Sequence, residues 1–166
     1  KSLVRLDGAI MKVGLGIDTH QLIPGKSIKL GGIDIPSDKT IKAHSDGDIV
    51  YHACADAIYG AAALGDIGEH FPDNDFKNKD LNSENIVMHS MQSISKLGFR
   101  INNLDITILL ESPKISQYKQ KMRENLARIL FIDVNSINIK ASTSESLGFI
   151  GRGEGITCYS IVSLIT

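Results

Sequence analysis

Two histidines and one aspartate in the first third of the chain have the types and spacing of a metal site. Asp18 and His20 are two residues apart in an apolar run that predicts a strand, so their side chains share one face. His52 lies in an Ala-rich segment that predicts a helix. A carboxylate oxygen and two imidazole nitrogens suit zinc, and three protein ligands leave a fourth position open for chemistry. The sequence therefore predicts a catalytic zinc centre held by a strand and a helix.

The helix that carries His52 also carries acidic residues at helical spacing. Asp48, His52 and Asp56 are four residues apart, which predicts an imidazole between two carboxylates on one face. Carboxylates in such positions orient a metal-binding histidine through its other ring nitrogen. Ser45, Asp46 or Asp48 is able to cap the first turn. For His52 considered alone, a hydrogen-bonded structural histidine is the alternative interpretation.

Three hydroxyl side chains precede a glutamate in the last third of the chain, where Ser142, Thr143 and Ser144 lead to Glu145. One interpretation, which the motif alone favours, is a capping box at the start of a short helix. The other is a site for phosphate and a divalent cation, in which the carboxylate holds Mg²⁺ or Mn²⁺. The residues by themselves leave both interpretations open.

Apolar periodicity divides the rest of the chain into mixed helices and strands. It predicts a hairpin at residues 28–36, helices at 83–96 and 115–130, and strands at 104–110, 137–141 and 156–165. Because the strands and helices do not alternate regularly, we expect a single α+β domain with a small mixed sheet. Gly14 and Gly16 lack the third glycine of a dinucleotide fingerprint, and the sequence contains no Walker A loop.

The composition excludes several classes of function. At 166 residues and 42% hydrophobic content, the chain suits one globular domain. A net charge of −1 provides no electrostatic footprint for nucleic acid, so any phosphate chemistry must be local. No apolar run approaches the roughly 18 residues of a membrane span. Cys54 and Cys158 have no paired spacing, which favours core packing in a reducing compartment.

Taken in order, these motifs resemble the family of 2-C-methyl-D-erythritol 2,4-cyclodiphosphate synthases, enzymes of the non-mevalonate isoprenoid pathway. The resemblance covers residues 11–166. It is carried by five ordered segments, at residues 16–20, 43–52, 65–73, 113–114 and 140–155. Ser142 and Ser144 stand where the family usually has threonine, and serine keeps the hydroxyl.

The resemblance implies an activity and two metals. The substrate would be 4-diphosphocytidyl-2-C-methyl-D-erythritol 2-phosphate, which cyclises to the 2,4-cyclodiphosphate and releases CMP. Its own 2-phosphate is the nucleophile, so the protein's task is to position and neutralise phosphates. Zinc is assigned to Asp18, His20 and His52, in agreement with their spacing, and Mg²⁺ or Mn²⁺ to Glu145. His44 and Thr143 match positions credited with transition-state stabilisation.

The resemblance also implies the substrate contacts. They would contact the zinc-bound phosphate, the erythritol, the cytidine and the diphosphate of the substrate. Two further residues would face the central axis of an oligomer. Together these residues are Asp18, Thr19, His20, His44, Ser45, Asp66, Ile67, Gly68, Phe71, Pro72, Asp73, Asn74, Asp75, Leu110, Glu111, Ser112, Pro113, Lys114, Ile115, Ser116, Ser142, Thr143, Ser144, Glu145, Phe149 and Arg152.

The same resemblance implies a homotrimer, with the sheets inside, the helices outside and a site at each subunit interface. The expected partner is a small cytidyl diphosphate, with neither nucleic acid nor membrane. We expect a cytoplasmic bacterial protein. Residues 1–10 form an N-terminal extension before the domain at 11–166, and they are a vector remnant, an alternative start or the tail of a targeting peptide. A processed transit peptide would place the protein in a plastid-type organelle.

Two other functions use the same residues. A zinc-dependent phosphohydrolase would use the three ligands to activate water instead of orienting a phosphate. A non-catalytic module would bind isoprenoid diphosphates in the axial cavity of a trimer, near Phe149, Arg152 and Glu154. Release of free phosphate would identify the first, and failure to turn over the cytidyl substrate would identify the second.

Overall fold

Seven strands and five α-helices are found in the part of the chain that the structure describes. The computed structural model describes residues 10–43, 45–72 and 81–166. In chain order, the strands are β1 (Met11–Pro24), β2 (Ser27–Leu30), β3 (Ile33–Pro36), β4 (Lys39–Ile41), β5 (Arg100–Leu109), β6 (Ile137–Ser142) and β7 (Gly155–Ile165). The helices are α1 (Ile49–Ala62), α2 (Ile67–His70), α3 (Ser83–Lys96), α4 (Lys119–Leu130) and α5 (Gly148–Gly151).

One mixed sheet of five strands organises these elements, in the order β4-β1-β7-β5-β6. The strands β5 and β6 are parallel, whereas β1 with β4, β1 with β7 and β5 with β7 are antiparallel. The strands β2 and β3 form a separate antiparallel hairpin. The predicted α+β class with a small mixed sheet is therefore confirmed, as is the hairpin predicted at residues 28–36.

The sheet has one covered face and one open face, and β1 illustrates both. Side chains alternate along a strand. On one face of β1, Gly14 and Gly16 are buried against α1. On the other face, Val13, Leu15 and Ile17 are 60%, 56% and 50% exposed. Because α1 packs on β1 and β7 while α3 packs on α1, the open face keeps an apolar surface.

The helix α1 lies close to β1 because both elements carry small residues where they meet. A Cβ atom on Gly16 would collide with the backbone oxygen of Ala53, and one on Gly14 would collide with that of Ala57. Further along the same face of β1, Asp18 follows Gly16 at the spacing of two residues. The close packing therefore places the first turns of α1 beside the Asp18 carboxylate.

Asp48 joins the hairpin to the start of α1. Its carboxylate accepts hydrogen bonds from the backbone N–H groups of Gly31 and Gly32, at 2.9 and 2.6 Å. It also accepts from the N–H groups of Val50 and Tyr51, at 3.2 and 3.3 Å, and so caps the helix. Both glycines have positive φ, as the turn of a two-residue hairpin requires. Of the three predicted caps, Asp48 is the one used.

The boundaries differ from prediction where tertiary pairing lengthens or shortens an element. The strand β1 continues to Pro24 because its last residues pair with β4, and β5 begins at Arg100 because this end pairs with β7. The helix predicted from residue 115 starts with a 3₁₀ turn, Ser116–Tyr118, before α4. Cys54 and Cys158 are buried free thiols, as predicted. Among the described residues, no helix is both long and apolar enough to cross a membrane.

Candidate metal centre and substrate clefts

Asp18, His20 and His52 meet between β1 and α1. Within residues 10–43, 45–72 and 81–166, these three side chains form the one group able to hold a metal ion, with ligand atoms within 4.8 Å of one another. Asp18 Oδ2 lies 3.1 Å from His52 Nδ1 and 3.2 Å from His20 Nδ1. One carboxylate oxygen therefore faces two imidazole nitrogens. The structure brings together the three residues that spacing had singled out.

The electrostatics of this cluster suit a bound cation. Burial by itself raises the pKa of Asp18, but the adjacent imidazoles of His20 and His52 lower that pKa to about 2. His20 Nδ1 is buried and faces the Asp18 oxygen without the alignment of a hydrogen bond, and no other group among the described residues satisfies it. A cation among these atoms would use that nitrogen's lone pair. The donor set of one oxygen and two nitrogens therefore fits zinc.

Asp48 and Asp56 do not bond to the His52 ring, so the predicted orientation of the imidazole by these two carboxylates is wrong. Asp48 is fully buried and bonded to backbone amides. Asp56 accepts a 2.9 Å hydrogen bond from the N–H of Ile67, at the start of α2. Orphan N–H groups in turns and at helix starts need acceptors, and they hold both carboxylates away from the imidazole.

The outer nitrogen of His52 contacts α3 and the segment before α1. His52 Nε2 lies 2.8 Å from Ser83 Oγ, and the Ser83 hydroxyl donates to Asp46 Oδ1. Lys29 Nζ lies 3.3 Å from the other oxygen of Asp46. The sequence analysis missed Ser83 because it is 31 positions from His52 and resembles any first residue of a helix. The one clue in the sequence was Asp46, the partner of Ser83, which belongs to the same motif as His52 at residues 43–52.

A cavity of about 380 Å³ contains the metal cluster. Among its lining residues are four other predicted substrate contacts, Ser45, Ile67, Gly68 and Phe71. Lys42, which the sequence analysis did not single out, adds a cation to this lining. The sequence clue for Lys42 was its position directly before the motif at residues 43–52. Positive charge beside a metal cluster suits a phosphorylated ligand.

Three predicted contacts near this cavity have other partners. The Thr19 hydroxyl lies 2.9 Å from that of Thr157 on β7. Asp66 caps α2 by accepting from the N–H of Glu69 at 3.1 Å. Pro72 is exposed beside Phe71. None of the three lines the cavity, so their substrate contacts stay predictions.

A second cleft, of about 210 Å³, lies where β5 and β6 end. Eight of the predicted substrate residues line it: Leu110, Glu111, Pro113, Lys114, Ile115, Ser116, Ser142 and Thr143. It shares no lining residue with the metal cavity. The residues predicted to bind the cytidine thus form a cleft that is separate from the metal cavity within one chain.

The segment around Glu145 is not a capping box. The next helix, α5, has Leu147 at its N-cap position and no side-chain cap. Instead, the Thr143 hydroxyl donates a 3.0 Å hydrogen bond to Glu145 Oε1 in an exposed turn, and Glu145 has a positive φ of 53°. The capping-box interpretation is therefore wrong, because the helix begins too late for these side chains to reach its amides.

Comparison with known proteins identifies the family. The sequence model of the YgbB family matches residues 11–165, which is almost the whole chain. The chain belongs to the YgbB family. The 2-C-methyl-D-erythritol 2,4-cyclodiphosphate synthase of Chloroherpeton thalassium is 46% identical over 151 residues, covering 91% of this chain and 96% of that protein.

Two solved structures share the fold of this YgbB member. The bifunctional IspDF from Campylobacter jejuni is 42% identical with a TM-score of 0.91, over 95% of this chain and 43% of that one. The chain thus spans less than half of the bifunctional protein. IspF of Plasmodium falciparum, in a CDP complex, is 34% identical with a TM-score of 0.83, over 93% and 96% of the two chains. The predicted enzyme class is confirmed.

Several predicted residues of this YgbB member fall elsewhere. His44, Asp73, Asn74 and Asp75 lie outside the described residues, as do residues 1–9 of the predicted extension. Ser112 and Ser144 border the second cleft without lining it. Phe149 is 43% exposed. The Arg152 side chain pairs with Glu154 at 2.9 Å.

Proposed function

We propose that this YgbB protein converts 4-diphosphocytidyl-2-C-methyl-D-erythritol 2-phosphate to 2-C-methyl-D-erythritol 2,4-cyclodiphosphate and releases CMP. The activity places it among the lyases of isoprenoid biosynthesis. The observation that carries this conclusion is the meeting of Asp18, His20 and His52 in a cavity, within a chain that matches the synthases over nearly all its length. The close fold match supports the same reaction.

We propose zinc at Asp18, His20 and His52. The buried, unsatisfied His20 nitrogen and the strongly acidic Asp18 carboxyl support this ligand set. When bound, zinc supplies Lewis-acid polarisation of a phosphoryl group. The three side chains line the cavity, so a phosphoryl group bound there would lie beside them.

The chain's own residues hold the phosphates in line. Ser45 Oγ accepts a 3.1 Å hydrogen bond from the N–H of Gly47, lies 3.4 Å from His52 Nε2, and lines the cavity where a phosphate oxygen would bind. Lys42 adds charge to the same wall. One P–O bond forms between the 2-phosphate and the β-phosphorus while the bond to CMP breaks, so no protein nucleophile is required. His44 and Thr143 are assigned to stabilise the transition state.

The erythritol end and the cytidine end of the substrate would bind in different clefts. We assign Asp66 to the erythritol hydroxyls, with Thr19, Ile67, Gly68 and the 71–75 segment beside it. For the cytidine we assign the cleft lined by residues 110–116, and for the axial region Phe149 and Arg152. Lys114 supplies a cation to that cleft. A diphosphate joins the two ends, so charge is needed at both clefts.

We propose that Glu145 holds the second cation, Mg²⁺ or Mn²⁺, with Ser142, Thr143 and Ser144 beside the diphosphate. Loss of the capping-box alternative supports this, because the exposed carboxylate has no helix to cap. This carboxylate accepts a 3.0 Å hydrogen bond from the neighbouring Thr143 hydroxyl. Carboxylate oxygens are the ligands that both cations prefer.

A homotrimer with sheets inside would complete the site. The apolar open face of β1 supports it, since Val13, Leu15 and Ile17 are at least half exposed. The separation of the two clefts supports it as well, because a substrate with cytidine at one end and a phosphorylated erythritol at the other must contact both. A cyclic trimer supplies three equivalent clefts between neighbours.

Product analysis in ¹⁸O-labelled water tests the reaction. The purified protein is incubated with zinc, Mg²⁺ and the cytidyl substrate, and the products are identified by mass spectrometry. We expect CMP and the cyclic diphosphate in equal amounts, without ¹⁸O, because the nucleophile is internal. Linear products carrying ¹⁸O would identify a phosphohydrolase, and binding without turnover would identify a binding module. Either result overturns the proposal.

A further inference from the structure

We infer that Ser83 and Asp46 are positioning residues, which hold the His52 proton on Nε2 and so present the Nδ1 lone pair to the metal. This inference rests on the proposed zinc site and deepens it. None of the three comparisons or the motif spacing assigns a role to Ser83. The two residues come from different elements, Ser83 from the start of α3 and Asp46 from the segment before α1.

The direction of the hydrogen bonds follows from counting protons. An ionised carboxylate only accepts, so the one hydroxyl proton of Ser83 is used by Asp46 Oδ1. Ser83 Oγ then has only lone pairs left for the ring nitrogen 2.8 Å away. His52 Nε2 must therefore be the donor. The opposite nitrogen, Nδ1, faces Asp18 Oδ2 at 3.1 Å, so in the absence of a metal Asp18 competes with Ser83 for the proton of a neutral ring.

The carboxylate at the end of this chain is held in its ionised form. Burial of Asp46 by itself would raise its pKa, but hydrogen bonds from Ser83 and Lys29 outweigh burial and lower the pKa. Lys29 lies on β2, so the hairpin is fastened to the same carboxylate. The N–H of Ser83 also points to Asp46 Oδ1, at 3.3 Å. These contacts leave Asp46 little freedom to turn away.

Burial gives the arrangement its precision. Ser83 is fully buried, so its hydroxyl is shielded from water, and the other hydroxyl near His52 Nε2, that of Ser45, is farther away at 3.4 Å. A histidine that ligates a metal is commonly oriented through its second nitrogen by a carboxylate or another acceptor, and loss of that partner costs about 10- to 100-fold in metal affinity. Here a serine relays the effect of the carboxylate. It takes the place that α1 spacing had predicted for Asp48 and Asp56.

Zinc affinity of matched serine variants tests the inference. Ser83→Ala removes the relay, and Ser90→Ala is the control, because Ser90 is equally buried on α3 and its hydroxyl donates to the Val87 carbonyl within its own helix. We expect Ser83→Ala to bind zinc about 10- to 100-fold more weakly in competition with a chromophoric chelator. Ser90→Ala should match the wild type. Ser83→Thr, which restores a hydroxyl, should recover affinity.

The tautomer of His52 gives a second readout that a purely structural role would not move. In metal-free protein at alkaline pH, ¹⁵N NMR should find a larger share of the His52 proton on Nε2 in the wild type than in Ser83→Ala, where Asp18 would draw the proton to Nδ1. Asp46→Asn, which keeps an acceptor oxygen, should show a smaller shift and serves if Ser83→Ala does not fold. An Nε2 proton unaffected in these variants overturns the inference.

The two proposals fail differently. Wild-type protein that binds no zinc would overturn the proposed metal site, while the metal-free tautomer still reports on Ser83. Wild-type zinc binding with equal affinity in Ser83→Ala and Ser90→Ala would overturn only the positioning role.

Discussion

At the scale of single residues, His52 is one of the three proposed zinc ligands. His52→Ala should remain folded, because alanine favours a helix, and should lose zinc by more than the roughly 10- to 100-fold that an outer-shell change costs. Elemental analysis and circular dichroism check both points. His89→Ala, on α3, is the control that keeps zinc. Full zinc occupancy in folded His52→Ala would contradict the ligand assignment.

Glu145 is proposed to hold a different cation from that of Asp18, His20 and His52. Glu145→Gln removes charge from the proposed second cation site and none from the first, so zinc content should stay and the Mg²⁺ needed for half-maximal activity should rise about tenfold or more. Glu124→Gln, exposed on α4, is the matched control. Activity titrated with Mg²⁺ measures the difference. Superimposable curves for the two variants would exclude Glu145 from the site.

At the scale of elements, the distance between α1 and β1 sets the metal cluster. Gly16→Ala forces a Cβ against the Ala53 backbone, and overpacking of this kind costs about 1–3 kcal/mol. Zinc affinity should fall as well, since α1 carries His52. Gly60→Ala meets nothing within 4 Å and should instead stabilise α1 by up to about 1 kcal/mol. Urea unfolding and chelator competition test the pair. Equal stabilities would show that α1 is free to move.

An aromatic cluster holds α2 against α1 and α3. Tyr59 stacks on His70 with ring centroids 4.2 Å apart, and its hydroxyl lies 2.7 Å from His89 Nδ1. Burial of His89, with the charges of His70 and Lys96, lowers the pKa of His89 below its usual 6.5. The unfolded chain therefore binds this proton more readily than the folded one.

The sign of that shift gives a pH prediction. Stability from neutral His89 is present above pH 6.5 and is lost as the pH falls towards the lower folded-state pKa. His89→Gln removes the titrating group, so its free energy of unfolding should fall less than that of the wild type between neutral and mildly acidic pH. Urea unfolding at both pH values measures this. Parallel losses in the two proteins would rule out His89 as the source.

At the scale of the whole molecule, complementation tests whether the site is shared between subunits. His52→Ala and Glu145→Ala proteins are unfolded together and refolded at equal concentration. In random trimers each site draws an intact metal half and an intact neighbour half with probability one half each, so about a quarter of wild-type activity should return. Native mass spectrometry verifies mixing, and the separately refolded variants are the control. Inactive mixed trimers would place the whole site within one chain.

The sequence by itself determined the elements and the ligand set. Strand alternation put Asp18 and His20 on one face, and composition made residues 49–62 a helix bearing His52, because these are local preferences of the chain. The α3 boundaries at 83–96 followed from the apolar stripe. Local pattern therefore predicted the fold class and the three side chains that meet as a candidate metal site.

Only the tertiary structure decided the partners of those side chains. Asp48 and Asp56 share a helical face with His52, yet unpaired backbone amides of the hairpin and of α2 hold their carboxylates. Ser83, remote in sequence, contacts the ring instead. Periodicity specifies the face on which a residue lies. Which acceptor a buried N–H group reaches depends on the packing of distant elements, because every buried polar group competes for the partners that folding brings near.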